Sequence, residues 1–245
     1  MSFKSIILAG SVVATAMFGA TAAHATAISS LGVTYYTVTP NADFGGQSVD
    51  GVFTNMVTSN LGPDGLPVYN ASYGGPAASD VNANGELTWW SPSMNTHVTE
   101  TSSGTAILPV SNGNFFPPNG TGTNDTNSFQ TAVYSGTFTL AAPETFTFNL
   151  SADDDAFLYV DSKNVDDLGG IHADSALPNT SIQLAAGQHT LELFYADREQ
   201  TQAALNFSIQ TANITVTPVP EPGSLLVLGT GLLGLGLVLR RRKRA

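Results

Sequence analysis

Apolar and polar residues alternate through the second half of the chain with a period of two. The alternation covers residues 133–140, 145–150, 190–195 and 205–209. A period of two places successive side chains on opposite faces of a sheet. Such runs at short intervals predict an all-β fold, an antiparallel β-sandwich in which each sheet buries one face.

The first half of the chain has a less regular pattern. Residues 33–39 are rich in Val, Thr and Tyr and predict a strand that ends before Pro40. The apolar spacing in residues 52–61 favours a short helix. Residues 111–127 are polar and predict a long loop.

An acidic hairpin is predicted between residues 151 and 172. Asp153, Asp154 and Asp155 lead directly into the apolar run 157–160, a polar turn follows at 161–164, and a second acidic pair stands at 166–167. Adjacent like charges repel each other, so a fold accommodates them most easily in water or around a cation.

Charge is distributed unevenly along the 245 residues. Residues 26–218 contain two basic and eighteen acidic residues, a formal net charge of −16. A body with so few cations is not suited to nucleic acid or to anionic membranes. The chain has no cysteine, which excludes disulfides, a thiol nucleophile and cysteine metal sites.

The first 25 residues have the pattern of a secretory signal peptide. Lys4 precedes a short apolar run, and small residues follow up to Ala23-His24-Ala25. Cleavage is expected after Ala25, with a site after Ala27 as the alternative. The rest of the chain is therefore expected to be exported.

The C-terminus combines three features in order. Val219-Pro220-Glu221-Pro222 precedes an uncharged run of seventeen residues, 223–239, which as a helix spans roughly 25 Å. Five basic residues follow at once: Arg240, Arg241, Arg242, Lys243 and Arg244. Basic flanks collect on the cytoplasmic side, so the C-terminus is expected in the cytoplasm and the body on the opposite side of the inner membrane.

This end resembles the PEP-CTERM sorting signal of Gram-negative bacteria over residues 219–245. The resemblance implies recognition by an exosortase, a membrane protease that cuts near Pro-Glu-Pro, and release to the cell surface or extracellular matrix. It also implies an association with exopolysaccharide. A plain single-span anchor with a proline-rich stalk is the alternative.

The body resembles the fibro-slime domain, a relative of the protective-antigen-type β-sandwich of bacterial surface proteins. The segments that carry the resemblance are 119–129, 135–140, 153–172 and 191–199. Some adhesins of the wider group hold Ca²⁺ with two adjacent aspartates, and the ion binds sugar hydroxyls. The matching positions are Asp153 and Asp154, with Asp155 where the group often has glycine.

A calcium site is therefore predicted at Asp153, Asp154 and Asp155. Further oxygen ligands are expected from Asp166, Asp167, Asp197 and Glu199 if their loops converge. The alternative is a solvated acidic loop whose side chains only cap backbone turns.

The sequence supports a catalytic site less well than it supports the calcium site. No Gly-x-Ser-x-Gly elbow accompanies His97, His172 or His189. We expect His189 to be exposed in a turn. Trp89 and Trp90 are candidates for stacking on a sugar, or for one core ring and one surface ring.

The sequence thus predicts four regions: a signal peptide (1–25), the sandwich (28–212), a stalk (213–222) and a sorting helix with its basic tail (223–245). The predicted function is non-enzymatic binding of glycan or exopolysaccharide, with Ca²⁺ as the expected ion. A purely structural matrix component and a polysaccharide hydrolase or its accessory module are the alternatives.

Overall fold

The computed structural model describes residues 29–46, 48, 51–75, 77–178, 180–212 and 214–219. These residues form strands without a helix, which confirms the predicted all-β class. The strands are β1 (Ser30–Val38), β2 (Val57–Leu61), β3 (Pro67–Tyr69), β4 (Val98–Ile107), β5 (Val110–Asn112), β6 (Phe129–Leu140), β7 (Glu144–Asp153), β8 (Asp155–Val160), β9 (Lys163–Leu168), β10 (Ser175–Ala176), β11 (Ser181–Leu184), β12 (Gly187–Ala196), β13 (Ala204–Ile209) and β14 (Thr217–Pro218).

Two antiparallel sheets organise the domain. The large sheet has the order β3-β2-β9-β8-β12-β6-β1-β4, with β14 added to β6. The small sheet has the order β10-β7-β13-β5, with β11 added to β7. The chain passes from the small sheet to the large one between Asp153, the last residue of β7, and Asp155, the first of β8.

One hydrophobic core fills the space between the sheets. The inward positions of both sheets meet there, as the two-residue period predicts, and bury Tyr134, Phe148, Leu193 and Phe207 among others. The members of this core fall between Leu31 and Val216.

A second core covers the opposite face of the large sheet. Side chains of the irregular region between β1 and β4, including Phe44, Met56, Trp89 and Trp90, pack there against Phe157 from β8. All six residues of β8 are consequently buried. The expectation that each sheet buries only one face is wrong for the centre of the large sheet. The described members of both cores all lie within residues 29–219.

The helix predicted for residues 52–61 is wrong. Val57–Leu61 is strand β2, and Asn60 pairs with Lys163 of β9. The Asp167 carboxylate accepts a hydrogen bond from the Val57 backbone N–H at 2.9 Å. Pairing with β9 therefore overrides a spacing that favoured a helix.

The hairpin turn between β8 and β9 is tighter than residues 161–164. Val160 pairs with Lys163, which leaves Asp161 and Ser162 as a two-residue turn with φ of 52° and 60°. Two consecutive left-handed residues suit the twist of a hairpin.

The domain extends beyond residue 212, where the sequence placed the start of a stalk. Val216 is buried in the first core, and Thr217 and Pro218 pair with β6. Val219 is described, whereas Ala23, Ala25, Pro220, Glu221, Pro222 and the basic residues 240–244 lie outside the described residues. Within the described ranges, no helix is long and apolar enough to cross a membrane.

Candidate cation site at the junction of the two sheets

The three consecutive aspartates lie inside the protein, at the junction of the two sheets. Asp153, Asp154 and Asp155 are 4%, 1% and 0% exposed, and the peptide bond between Asp153 and Asp154 is cis. The alternative of a solvated acidic loop does not describe these side chains. Buried carboxylates need hydrogen-bond donors or a cation.

Asp155 binds protein donors on both oxygens. Its Oδ1 accepts from the Gly170 backbone N–H at 2.8 Å, and its Oδ2 lies 3.4 Å from Nη1 of Arg198. The Arg198 guanidinium is fully buried and stands 4.7 Å above the Trp89 ring. Asp155 as a metal ligand stays a prediction, but its oxygens already support the loop at 170 and the buried arginine.

Asp154 joins two loops through backbone donors. Its Oδ1 accepts from the His172 N–H at 2.9 Å, and its Oδ2 accepts from the N–H groups of Arg198 and Glu199 at 2.8 and 3.1 Å. The acidic hairpin and the segment after β12 therefore meet at this carboxylate. The condition set for further ligands, that the loops converge, is thus met for the segment at 198–199.

Asp197 stands out because its carboxylate has no hydrogen bond of ordinary geometry. It is fully buried, neither oxygen has a partner within ordinary hydrogen-bond limits, and a backbone contact with Gln130 lowers its pKa only in part. Burial raises its pKa well above the usual range, and the charges of Asp154, Asp125 and Asp153 add to the effect. An isolated buried carboxylate is costly unless it is protonated or bound to a cation.

Asp125 completes a group that we call the acidic cluster: Asp125, Asp153, Asp154 and Asp197. Asp125 is 3% exposed and its Oδ2 has no partner in the described structure. Burial raises its pKa, with a further contribution from the charge of Glu199. Sequence reasoning gave Asp125 no role, since it stands in a long polar stretch without a local acidic pattern.

Burial raises the pKa of the carboxyls at this junction, so each keeps its proton to a higher pH than an exposed aspartate. Burial raises the pKa of Asp153 and Asp154 to about 7, and in each the next aspartate along the chain adds to the effect. Burial also raises the pKa of Asp155 to about 7, although Arg198 opposes it. A bound divalent cation would reverse these shifts by favouring the ionised forms.

The second acidic pair faces other elements. Asp167 binds the Val57 backbone in β2, and Asp166 accepts a hydrogen bond from the Thr180 hydroxyl at 3.3 Å. Burial raises the pKa of both to about 6. These contacts connect β9 to β2 and to the segment before β11, and Oδ1 of each carboxyl is buried without a partner within ordinary hydrogen-bond limits.

The cluster fits a hard cation in its chemistry. Carboxylate oxygens are the donors that Ca²⁺ prefers, and the oxygens of Asp197 and one of Asp125 lack protein donors. Among the described residues, no three acidic or histidine side chains already enclose a metal position. The fit therefore rests on the type of donor and on the unpartnered buried oxygens.

Trp89, Trp90 and His189 are held by contacts within the protein. Trp89 and Trp90 are both buried, and their ring N–H groups donate to Asp43 Oδ2 and to the Tyr195 carbonyl, each at 2.8 Å. Neither ring is available for stacking on a sugar. His189 is buried, contrary to expectation, because its ring binds Asp161 at 2.7 Å and packs on Phe138.

Comparison with known proteins identifies two parts of the chain. Residues 118–217 match the model of the PA14 domain, and residues 218–243 match that of the PEP-CTERM protein-sorting motif. These two matches agree with the resemblances predicted from the sequence, a PEP-CTERM sorting signal and a protective-antigen-type domain. The motif implies export with a transient C-terminal membrane anchor.

Among curated proteins, psiR and psiQ of Dictyostelium discoideum are 29% and 30% identical over 70% and 72% of this chain. The chain spans only 20% of the length of each. Among solved structures, the PA14 domain of the MpAFP antifreeze protein aligns with 81% of this chain and 97% of its own, at 13% identity and a TM-score of 0.41. The PA14 sugar-binding domain from an RTX adhesin aligns with 78% of this chain and 96% of its own, at 14% identity and a TM-score of 0.37.

Proposed function

We propose that this chain, a PA14 domain followed by a PEP-CTERM motif, is a cell-surface or matrix protein of a Gram-negative bacterium that binds glycan with the help of Ca²⁺. An exosortase would process its C-terminus. The exported domain would then hold exopolysaccharide, without catalysing its turnover.

The fully buried, unpartnered carboxylate of Asp197 carries the proposal. The charges of Asp125, Asp153 and Asp154 act on Asp197, and the energetic cost of ionising this group is highest when no cation is present. Asp125, Asp153, Asp154 and Asp197 are the side chains that would hold the ion. Calcium takes six to eight oxygen ligands, so positions not filled by the protein remain for water or for sugar hydroxyls.

The neighbouring side chains have positioning roles. The backbone donors at His172, Arg198 and Glu199 fix the Asp154 carboxylate. The Tyr195 hydroxyl donates to the Asp153 carbonyl at 2.7 Å and fixes the junction itself. These contacts give the cluster a defined shape before a ligand arrives, which reduces the entropic cost of binding.

Thermal unfolding of residues 26–219 with and without Ca²⁺ tests the proposal. Saturation at about one hundred times Kd is expected to stabilise the native state by about 2.7 kcal/mol. Asp197→Asn should abolish the shift, whereas Asp64→Asn, at an exposed loop position, should preserve it. If Ca²⁺ leaves the melting temperature of the wild type unchanged, the calcium part of the proposal is wrong.

Glycan arrays separate the proposed function from its alternatives. Binding that disappears with chelator supports a calcium-dependent lectin. Self-assembly without binding would favour a structural matrix component, and turnover of a polysaccharide would favour a hydrolase.

A further inference from the structure

A groove of about 600 Å³ lies on the outer face of the small sheet. Residues of β5, β7 and β13 line it, together with Ala176 of β10 and the adjacent Leu177. It crosses four neighbouring strands, which is about three interstrand spacings, or roughly 14 Å. The groove lies on the face of the sheet opposite to the first core.

The two-residue period explains why the floor of this groove is polar. Leu150 and Phe207 point into the first core, so Asn149, Ser151 and Asn206 point outward. Ser208 follows Asn206 on the same face and also lines the groove. Amide and hydroxyl side chains therefore cover an area where strand propensity alone would favour Val, Thr or aromatic residues.

Hydrogen bonds between strands hold part of this floor in place. Ser111 Oγ donates to Asn206 Oδ1 at 2.8 Å, and Asn206 Nδ2 donates to Ser151 Oγ at 3.1 Å. These three side chains form a ladder across β5, β13 and β7. Such a ladder offers donors and acceptors at fixed positions.

The charge of the lining indicates the class of ligand. None of the residues that line the groove is charged, although residues 26–218 carry a net charge of −16. The polar floor is bordered by the apolar side chains of Pro109 and Ala176, whereas Val110 pairs with Phe207 and packs against the first core. Hydroxyls that pair with amides, combined with C–H faces that pack on apolar walls, are the features of an uncharged sugar chain.

We propose that this groove is a second glycan site that binds a short run of uncharged sugar rings without a metal ion. It extends the proposed function, because it rests on the chain meeting polysaccharide, but it does not depend on the acidic cluster. Lacking an exposed aromatic platform, the groove is expected to bind single oligosaccharides weakly and long polymers by avidity.

The test is an NMR titration of isotope-labelled residues 26–219 in excess chelator. The probes are a β-1,4-linked glucose hexamer, an α-1,6-linked glucose hexamer and a uronic acid hexamer of equal length. At least one neutral hexamer is expected to shift the amide signals of Asn149 and Asn206, and the uronate is expected to leave them unchanged. Repeating the titration with Ca²⁺ should give the same groove affinity.

Variants complete the test. Asn206→Val should weaken binding roughly tenfold, since it removes the central amide of the ladder. Asn149→Val, at an exposed position, provides a second variant if the first does not fold, and Asn60→Val on exposed β2 is the matched control. Absence of shifts in the groove, unchanged affinity in the groove variants, or equal binding of the uronate would overturn the inference.

The same data distinguish the two proposals. If Asp197→Asn loses Ca²⁺-dependent glycan binding but keeps the affinity of the groove for the neutral hexamer, the acidic cluster and the groove are separate sites. Shifts that occur only in the loops around the acidic cluster and disappear with chelator would support the proposed function and reject the groove.

Discussion

Replacing Arg198 by methionine tests how the protein tolerates the buried charge of Asp155. Arg198 is fully buried, and its guanidinium contacts the Asp155 carboxylate at 3.4 Å and the Asp43 carbonyl at 3.1 Å. Methionine retains much of the side-chain volume and removes the charge. Removing one partner of a buried ion pair typically costs about 3–5 kcal/mol, because the other charge is left without compensation.

The cost should depend on pH in a defined direction. Burial raises the pKa of Asp155 to about 7 even with Arg198 beside it, so the arginine's removal raises it further. A carboxyl whose pKa is raised in the folded state stabilises the fold while protonated, and this contribution is lost as pH rises through the folded pKa. The difference in unfolding free energy between wild type and variant should therefore be small at pH 5.5. It should grow above pH 7 by up to about 1.4 kcal/mol per pH unit.

Urea unfolding provides the measurement, with chelator present to exclude metal effects. Trp89 and Trp90 are the only tryptophans, both are buried beside this network, and their fluorescence should follow the transition. Lys163→Met removes an exposed basic residue and is expected to change stability by less than about 0.5 kcal/mol at either pH. A penalty for Arg198→Met that is equal at pH 5.5 and pH 8 would refute the reasoning.

Three further predictions concern the cation, the tail and the aromatic core. Calcium affinity should increase between pH 6 and pH 8, because burial raises the pKa of Asp153 and Asp154 to about 7 and the ion binds their ionised forms. Isothermal titration calorimetry at three pH values checks this. Alanine at Pro220 and Glu221 should retain the protein in the membrane fraction, as cell fractionation would show, and unchanged release would contradict exosortase recognition. Trp90→Phe should cost about 1 kcal/mol through the lost hydrogen bond to the Tyr195 carbonyl while glycan binding stays unchanged.

The regular strands could be predicted from the sequence, because the alternation within each strand shows which of its faces is buried. In β7 the alternation of apolar and polar side chains matches one buried and one more open face, and β6 alternates in this way only after Phe129–Ala132, which are all buried. Local pattern fails where burial is decided by distant residues. Residues 57–61 form a strand because they pair with β9. Val216, which follows β13 in the chain, is buried because it packs in the first core.

The candidate site was predictable in part for the same reason. Asp153, Asp154 and Asp155 are adjacent in sequence, so their charge pattern is visible without a structure. Asp125 comes from a loop that reaches the junction only in the folded chain, and nothing near it signals that position. The burial of Trp89 and Trp90 also depends on the second core, which covers a face of the large sheet that a two-layer sandwich would leave open.

The buried acids at the junction differ in how the protein compensates their negative charge, and this difference indicates their roles. Asp155 has a cation within the protein, Arg198, and Asp154 has three backbone donors. Asp197 has no hydrogen bond within ordinary limits, although it is as deeply buried. The internal partners of Asp154 and Asp155 reduce the cost of ionising these carboxyls without a ligand. A carboxyl without such partners is either protonated or bound to an external cation. The PEP-CTERM motif implies that the protein is exported. We therefore expect Asp155 and Arg198 to stabilise the fold. Substitution of Asp197 should affect ion binding most and the stability of the fold least.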